Sequence, residues 1–280
     1  MALPCSPALP FLLYSYPWMP FPRRIAIYLR EKQIPSTHVR IVRVSDPKDG
    51  NRVVDFSFPP RPAGSLPVLA VPSEKTGEDG KPVEWFHIRQ SMAIIHILEE
   101  ICEKKLYGFD SPVGGLFGTS IVERVRINEV LTLAEECTVN WNPVRTFGTN
   151  AGTMSYPEGA KEMLRWVRRP LMAIETWWQE SDRDMSLLRA GIHGHVTVAD
   201  IVLYQFLEFT KDCYAVDMTD GSQEQVKDVY GRDVVERFPK LAEFFEVFRG
   251  RESAVRDEQS GELPGSGPLK AMQTWAEGVL

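Results

Sequence analysis

Residues 86–101, FHIRQSMAIIHILEEI, constrain this chain more than any other window. Ile94, Ile97, Leu98 and Ile101 recur at i, i+3, i+4 and i+7, the spacing of one helix face. The polar pair Gln90-Ser91 precedes that stripe, so a helix is expected to open there with Ser91 at its cap. A Ser at a helix start presents its hydroxyl beside backbone N–H groups that lack partners inside the helix. Such a start is suited to a carboxylate. Upstream lies Gly64-Ser65-Leu66-Pro67-Val68-Leu69, a Pro at the mouth of a short apolar strand.

The chain before this window alternates element types. Residues 11–16 are apolar and aromatic, bounded by prolines, and read as a strand. Residues 20–33 read as a helix with Ile25, Tyr28 and Leu29 on one face; Pro22 suits a first turn, where no N–H is needed. Residues 38–44 alternate and are β-branched, a second strand, and residues 46–63 form a loop rich in Pro, Gly and charge. Residues 67–71 and 83–87 read as third and fourth strands across the charged turn SEKTGEDGKP.

Beyond a turn-rich stretch at residues 106–118, the pattern is helical. Residues 121–137 and 158–180 carry long helices, with Pro170 a kink point in the second. Thr197 and Asp200 form a capping-box-like pair. Val198, Ile201, Val202, Leu203 and Phe206 then cover most of the following helix, which predicts burial on nearly all sides. Phe238-Pro239 opens another helix through Leu241, Phe244, Phe245 and Phe248. Residues 257–280 read as a linker with a short amphipathic end.

Composition narrows the function. A net charge of −6 with no Lys/Arg stripe argues against nucleic acid. No stretch approaches the roughly 18 apolar residues of a membrane span. The N-terminus lacks a basic segment and is broken by prolines, so the expected location is cytoplasmic. Cys5, Cys102, Cys137 and Cys213 have no metal-like spacing and read as free thiols. His193 and His195 flank a Gly, a loop signature, and no metal site is expected.

Four features in this order, the strand and Arg23-Arg24 helix, Leu66-Pro67, Gln90-Ser91 and Thr197-x-x-Asp200, resemble the glutathione transferases over residues 10–255. The resemblance implies an α/β thioredoxin-like N-terminal domain followed by an all-α C-terminal domain. It sets a glutathione-binding domain at 1–105, a linker at 106–118, a helical substrate-binding domain at 119–256 and an extension at 257–280. It also implies a cis Leu66-Pro67 bond, glutathione as cosubstrate, a small hydrophobic molecule as partner, and a homodimer.

Within that resemblance, Gln90 and Ser91 match the pair that grips the γ-glutamyl end, and Leu66 with Pro67 offers backbone to the cysteinyl part. Many family members place a catalytic Ser or Cys directly before Pro-Phe. Here Met19 precedes Pro20-Phe21, and a thioether donates no hydrogen bond. Thiol transfer through a Cys and dehydroascorbate reduction are therefore not expected. The upstream hydroxyls Tyr14, Ser15 and Tyr16 remain, with Ser15 or Tyr16 as replacement; alternatively Tyr14 and Tyr16 only pack the strand. Trp18, Met19, Trp141, Arg145 and Phe147 are candidates to line a pocket for an aromatic or polyketide-like electrophile. The expected reaction is addition of glutathione thiolate to that electrophile. An isomerase or lyase on this fold and a non-catalytic binding protein are the alternatives.

Overall fold

A computed structural model describes residues 9–45, 49–73, 75, 77, 82, 84–148, 154–192 and 194–279, the last five as backbone only. Cys5, His193 and the first residue of the expected fourth strand, Val83, lie outside the described residues. The chain divides into two compact units. One takes the chain up to Leu116 together with Arg256–Leu263, the other Phe117–Val255 with Pro264–Leu280.

The first unit is built on β1 (Phe11–Ser15), α1 (Pro20–Glu31), β2 (Val39–Arg43), β3 (Val68–Pro72), β4 (Trp85–Arg89) and α2 (Ser91–Glu103). The sheet order is β2-β1-β3-β4, with β1 parallel to β2 and antiparallel to β3, and β3 antiparallel to β4. Every residue of β1 and β3 is buried, as central strands covered on both faces require. Leu12, Tyr14, Val42, Val44, Val53, Val68 and Ala70 form one buried cluster, with Tyr16, Phe58, Leu66 and Trp85 packed against it. This is the α/β part of the expected fold. The fourth strand sits two residues later than expected, at Trp85–Arg89.

Helix α1 departs from its sequence pattern. It reads as amphipathic, yet Arg23 and Arg24 are both 0% exposed. Buried guanidinium groups need partners. Arg23 Nη1 donates to Glu262 at 2.8 Å, Arg30 donates to the same carboxylate, and Asp257 N adds a third donor at 3.1 Å. The segment after Val255 therefore returns to cover α1. Deeper in the unit, the Glu99 carboxylate accepts from Tyr28 Oη at 2.7 Å, Leu116 N at 2.8 Å and Lys32 Nζ at 3.4 Å.

The second unit holds α3 (Ile121–Gly148), α4 (Pro157–Glu180), α5 (Val198–Glu208), a π turn (Phe209–Cys213), the hairpin β5 (Gln225–Lys227) and β6 (Asp233–Val235), α6 (Pro239–Arg249) and α7 (Ser266–Val279). Helix α3 packs along α4, and α5 packs on α3. Pro143 lies inside α3, which continues to Gly148. Pro143 costs one ladder bond, which leaves the carbonyl of Val139 without its i+4 N–H. Residues 266–279 form the amphipathic end, packed on α3, α4 and the π turn. The hairpin was not legible in the sequence.

All residues of α5 are buried, and its start is the expected capping box. Thr197 Oγ1 accepts from Asp200 N at 3.3 Å, and Asp200 Oδ2 accepts from Thr197 N at 2.9 Å. Arg183 Nη2 adds an ion pair to Asp200 Oδ1 at 2.8 Å. Asp200→Ala should lower stability by about 2 kcal/mol, because it removes a cap and a buried carboxylate facing Arg183. Chemical denaturation measures this; a loss under about 0.5 kcal/mol would show that the box does not hold α5.

Candidate active site

The sheet carries three chain segments to one edge of the first unit. The turn after β1 runs through Tyr16, Trp18 and Met19 into α1. Met19 is the N-cap, extended at φ −74 and ψ 151, with its N–H donated to Tyr16 O at 3.1 Å. Pro20 and Pro22 have no N–H, and Arg23 N already bonds Met19 O at 2.9 Å. Of the first-turn donors that a helix normally presents, α1 keeps only Phe21 N–H. Trp18 and Met19 are half-buried.

The hydroxyls in this turn differ in access. Ser15 is 2% exposed, set in the parallel pair with Arg43. Ser15 was an expected catalytic position; its burial within the strand withdraws the side chain from an arriving ligand. Tyr14 is 2% exposed, donates to Pro59 O at 3.1 Å, and burial raises its pKa. Tyr16 is half-buried, and its hydroxyl donates to Asn51 Oδ1 at 3.1 Å. Arg61 Nη1 donates to the same oxygen at 2.8 Å. Asn51 thus keeps a partner when Tyr16 turns away.

The second segment is Leu66-Pro67, whose peptide bond is cis. Val68 pairs with both Tyr14 and Arg89. Leu66 precedes that ladder, so its backbone N–H and C=O can pair with an extended peptide in the manner of an added strand. Gly64, at φ +110, turns the chain beside Arg89, whose Nη2 donates to Ala63 O at 3.3 Å.

The third segment is Gln90-Ser91. The structure shifts the cap by one residue from the expectation. Gln90 is the N-cap, at φ 72 and ψ 122, and Ser91 is the first helical residue. Ser91 is 5% exposed, and Arg24 Nη1 donates to its Oγ at 3.5 Å. Its hydroxyl is therefore turned inward toward α1, while the exposed Gln90 amide and the first-turn N–H groups of α2 face outward. A left-handed φ at a non-Gly residue costs energy that the surrounding structure must offset.

Cys102 and Cys137 give no support to thiol chemistry from their own side chains. Burial pushes the Cys102 thiol up to about 11. Cys137 is likewise raised well above its ordinary value by burial. Neither is a nucleophile near neutral pH. Among the described residues, no cluster of His, Cys, Asp and Glu is placed to hold a metal ion, and no helix is long and apolar enough to cross a membrane.

In the second unit, Trp141 was expected against a substrate. The structure instead buries it to 2% exposure, edge-on to Tyr214 at 5.3 Å and Phe206 at 6.5 Å. Arg145 and Phe147, one and two turns on, are half-buried. Arg145 hydrogen-bonds Tyr214, a residue the sequence did not single out; burial raises the Tyr214 pKa and Arg145 draws it back down.

The comparisons with known proteins agree with this fold. Residues 18–101 match the family model described as glutathione S-transferase, N-terminal domain. A glutathione S-transferase from Methylobacillus flagellatus with bound GSH is 19% identical at a TM-score of 0.55, over 90% of this chain and 100% of that one. Glutathione transferase F2 from Populus trichocarpa is 17% identical at 0.54, over 90% and 97%. Glutathione transferase Omega 1C from Trametes versicolor is 16% identical at 0.53, over 97% and 98%. No curated protein matches the sequence. At these identities the structural likeness speaks for the fold. Residues 18–101 thus match the glutathione S-transferase N-terminal domain model, in a chain that shares the fold of these solved glutathione transferases.

Proposed function

We propose that the chain is a glutathione-dependent transferase that adds the glutathione thiolate to a small hydrophobic, aromatic or polyketide-like electrophile. The observation that carries this reading is the convergence of Leu66, Gln90 and the first turn of α2 at one end of the sheet, where β1 leads into α1. The α2 N-terminus meets the γ-glutamyl carboxylate. Gln90 contacts the same end, and Ser91, braced by Arg24, fixes the turn. The Leu66 backbone, set by Pro67, pairs with the cysteinyl part. That leaves the sulfur near Met19 and Tyr16.

Tyr16 then supplies the donor that Met19 lacks. Its hydroxyl leaves Asn51 for the sulfur. A free thiol ionises near pH 8.5, and one donor with a helix N-terminus favours its thiolate. The thiolate attacks the electrophile beside Trp18 and Met19; Arg145 and Phe147 are the helical unit's own candidates for substrate contact.

A second reading rests on α1. Met19 has no donor, and two prolines remove first-turn N–H groups. A site so poor in thiolate stabilisation also suits an isomerase or lyase, in which glutathione adds reversibly to a conjugated double bond or is dispensable. Incubation with glutathione and a chlorodinitrobenzene separates the readings. A thioether product supports the transferase. Binding of glutathione without product favours the isomerase or a binding protein.

The reading includes cytoplasmic location, consistent with buried free thiols at Cys102, Cys137 and Cys213. It also includes a homodimer. Ile121, Val122 and Val125 at the start of α3 are 84, 72 and 52% exposed, an apolar patch that a second copy would cover. A monomer mass in sedimentation at micromolar concentration would remove the dimer from the account.

Gln90→Gly tests the tripeptide contact. Gly accepts the left-handed φ, so stability should hold or rise by up to about 1 kcal/mol. Glutathione affinity should fall by about tenfold with the lost amide contact, one good hydrogen bond. Calorimetry reads the affinity; an unchanged value would confine Gln90 to a backbone role.

A further inference from the structure

The hairpin of β5 and β6 leaves a strand edge open. Antiparallel ladders alternate hydrogen-bonded and non-hydrogen-bonded pairs. Asp228 N donates to Arg232 O at 3.1 Å and Glu236 N to Glu224 O at 2.9 Å, with Val226 opposite Val234 between them. Glu224, Val226 and Asp228 therefore turn their backbone groups toward β6, and Gln225 and Lys227 turn theirs outward. Among the described residues, nothing pairs with the backbone N–H and C=O of Gln225 or Lys227. Such an edge is a template for another strand.

All of β5 lines a cavity of about 540 Å³, which it shares with Trp166 and Arg169 of α4. Trp166 is 47% exposed, and the Arg169 guanidinium lies over its ring at 4.5 Å. The carboxylates of the lining are already matched. Glu162 pairs with Arg165 at 2.8 Å, Asp233 with Lys227 at 2.6 Å, and Glu236 with Arg168. Arg169 donates to a backbone carbonyl, Asp228 O, at 2.9 and 3.3 Å, and no carboxylate meets it among the described residues. One positive charge thus remains beside an exposed indole and an open strand edge.

We infer that this groove takes an extended acidic segment of a partner protein, added as a third strand on β5. Main-chain bonds to Gln225 and Lys227 hold the segment, and the side chains that alternate along it set its specificity. An Asp or Glu of the segment meets Arg169, and an apolar side chain covers Trp166. A basic segment would face an unneutralised guanidinium, and a helix has no free edge to offer β5. Every residue of the groove belongs to the helical unit, so the inference does not rest on the glutathione site.

The test begins with selection of random heptapeptides, displayed on phage, against the full chain. We expect enriched sequences that carry Asp or Glu between β-branched or aromatic residues and lack Pro. A synthetic peptide of the enriched sequence, read by fluorescence anisotropy, should bind one site per chain. Gln225→Pro removes an outward N–H and no bond of the hairpin. That variant and Arg169→Gln should each weaken the peptide about tenfold or more, as loss of a main-chain or charge-assisted hydrogen bond does. N-methylation of alternate peptide amides, or exchange of the peptide's acid for its amide, should do the same with the protein unaltered. A variant that fails to fold therefore leaves the test decisive. Excess glutathione should leave the affinity unchanged. The proposal is overturned if no sequence is enriched, if basic sequences are, or if the affinity ignores N-methylation. A Gln225→Pro chain that sediments differently from the parent also overturns it, since the edge then joins two copies. The readout needs no glutathione, so failure of the transferase reading would leave this test intact.

Discussion

Glu262→Ala lowers the unfolding free energy by about 3–5 kcal/mol, the cost of breaking a buried ion pair from one side. The side chains of Glu262 and Arg23 are 2% and 1% exposed, so water does not replace what is lost. Arg30 Nη1 donates to the same group at 3.2 Å, and Asp257 N at 3.1 Å. The double variant Arg23→Met with Glu262→Leu should recover part of the loss, because an apolar pair of similar volume needs no charge compensation. Urea unfolding midpoints measure both. A loss below about 1 kcal/mol would place the pair in the surface class and detach the segment Arg256–Leu263 from the account of α1. Because α1 also carries Arg24 and the Met19 cap, Glu262→Ala should weaken glutathione binding only as far as it loosens that helix.

Tyr16→Phe should lower kcat/KM for conjugation by roughly 10²-fold, the effect of removing one donor to a developing or stabilised anion. Affinity for glutathione should stay nearly constant, since Leu66, Gln90 and the α2 turn are untouched. The pH profile gives the sharper sign. Thiolate is the reactive form, so rate rises as pH passes the bound thiol's pKa. Loss of the donor returns that pKa toward about 8.5, and the rising limb moves to higher pH. Removing the phenol also leaves Asn51 with Arg61 as partner, so the fold should change little. An unchanged rate and profile would shift thiolate stabilisation to Phe21 N–H, or favour the isomerase reading.

Most of the scaffold was legible because it rests on local patterns. The β1, β3 and α5 segments are nearly continuous apolar runs, and the Thr197–Asp200 box is a four-residue signal. Other features have causes outside the local pattern. The burial of Arg23 rests on the distant Glu262 carboxylate. Glu262 sits in a Gly- and Pro-rich stretch without periodicity, so nothing local announces it. The hairpin strands Gln225–Lys227 and Asp233–Val235 are too short to alternate visibly. Pro143 leaves open whether its helix bends or ends; packing of α3 along α4 outweighs the single lost bond.

The candidate site was legible in its residues and less so in their orientation. The Leu66-Pro67 bond is cis as the motif implies, and Gln90 is the N-cap of α2. Ser91 was one position off, because the left-handed φ of Gln90 has no signature in the residue type. Ser15 and Tyr16 could not be separated by sequence; strand pleat buries the first and leaves the second beside Asn51. Trp141 reads as a substrate wall by type, yet its helical phase turns it toward Phe206 and Tyr214.

The tripeptide site would lie at the strand end where Leu66, Gln90 and the start of α2 meet. Calorimetric titration of the purified chain with glutathione is its direct test, with Gln90→Gly alongside. One site per chain is expected, of micromolar to millimolar affinity, weakened in a Gln90→Gly protein that melts no lower than the parent. No heat of binding in the parent chain, at any glutathione concentration up to tens of millimolar, would contradict it.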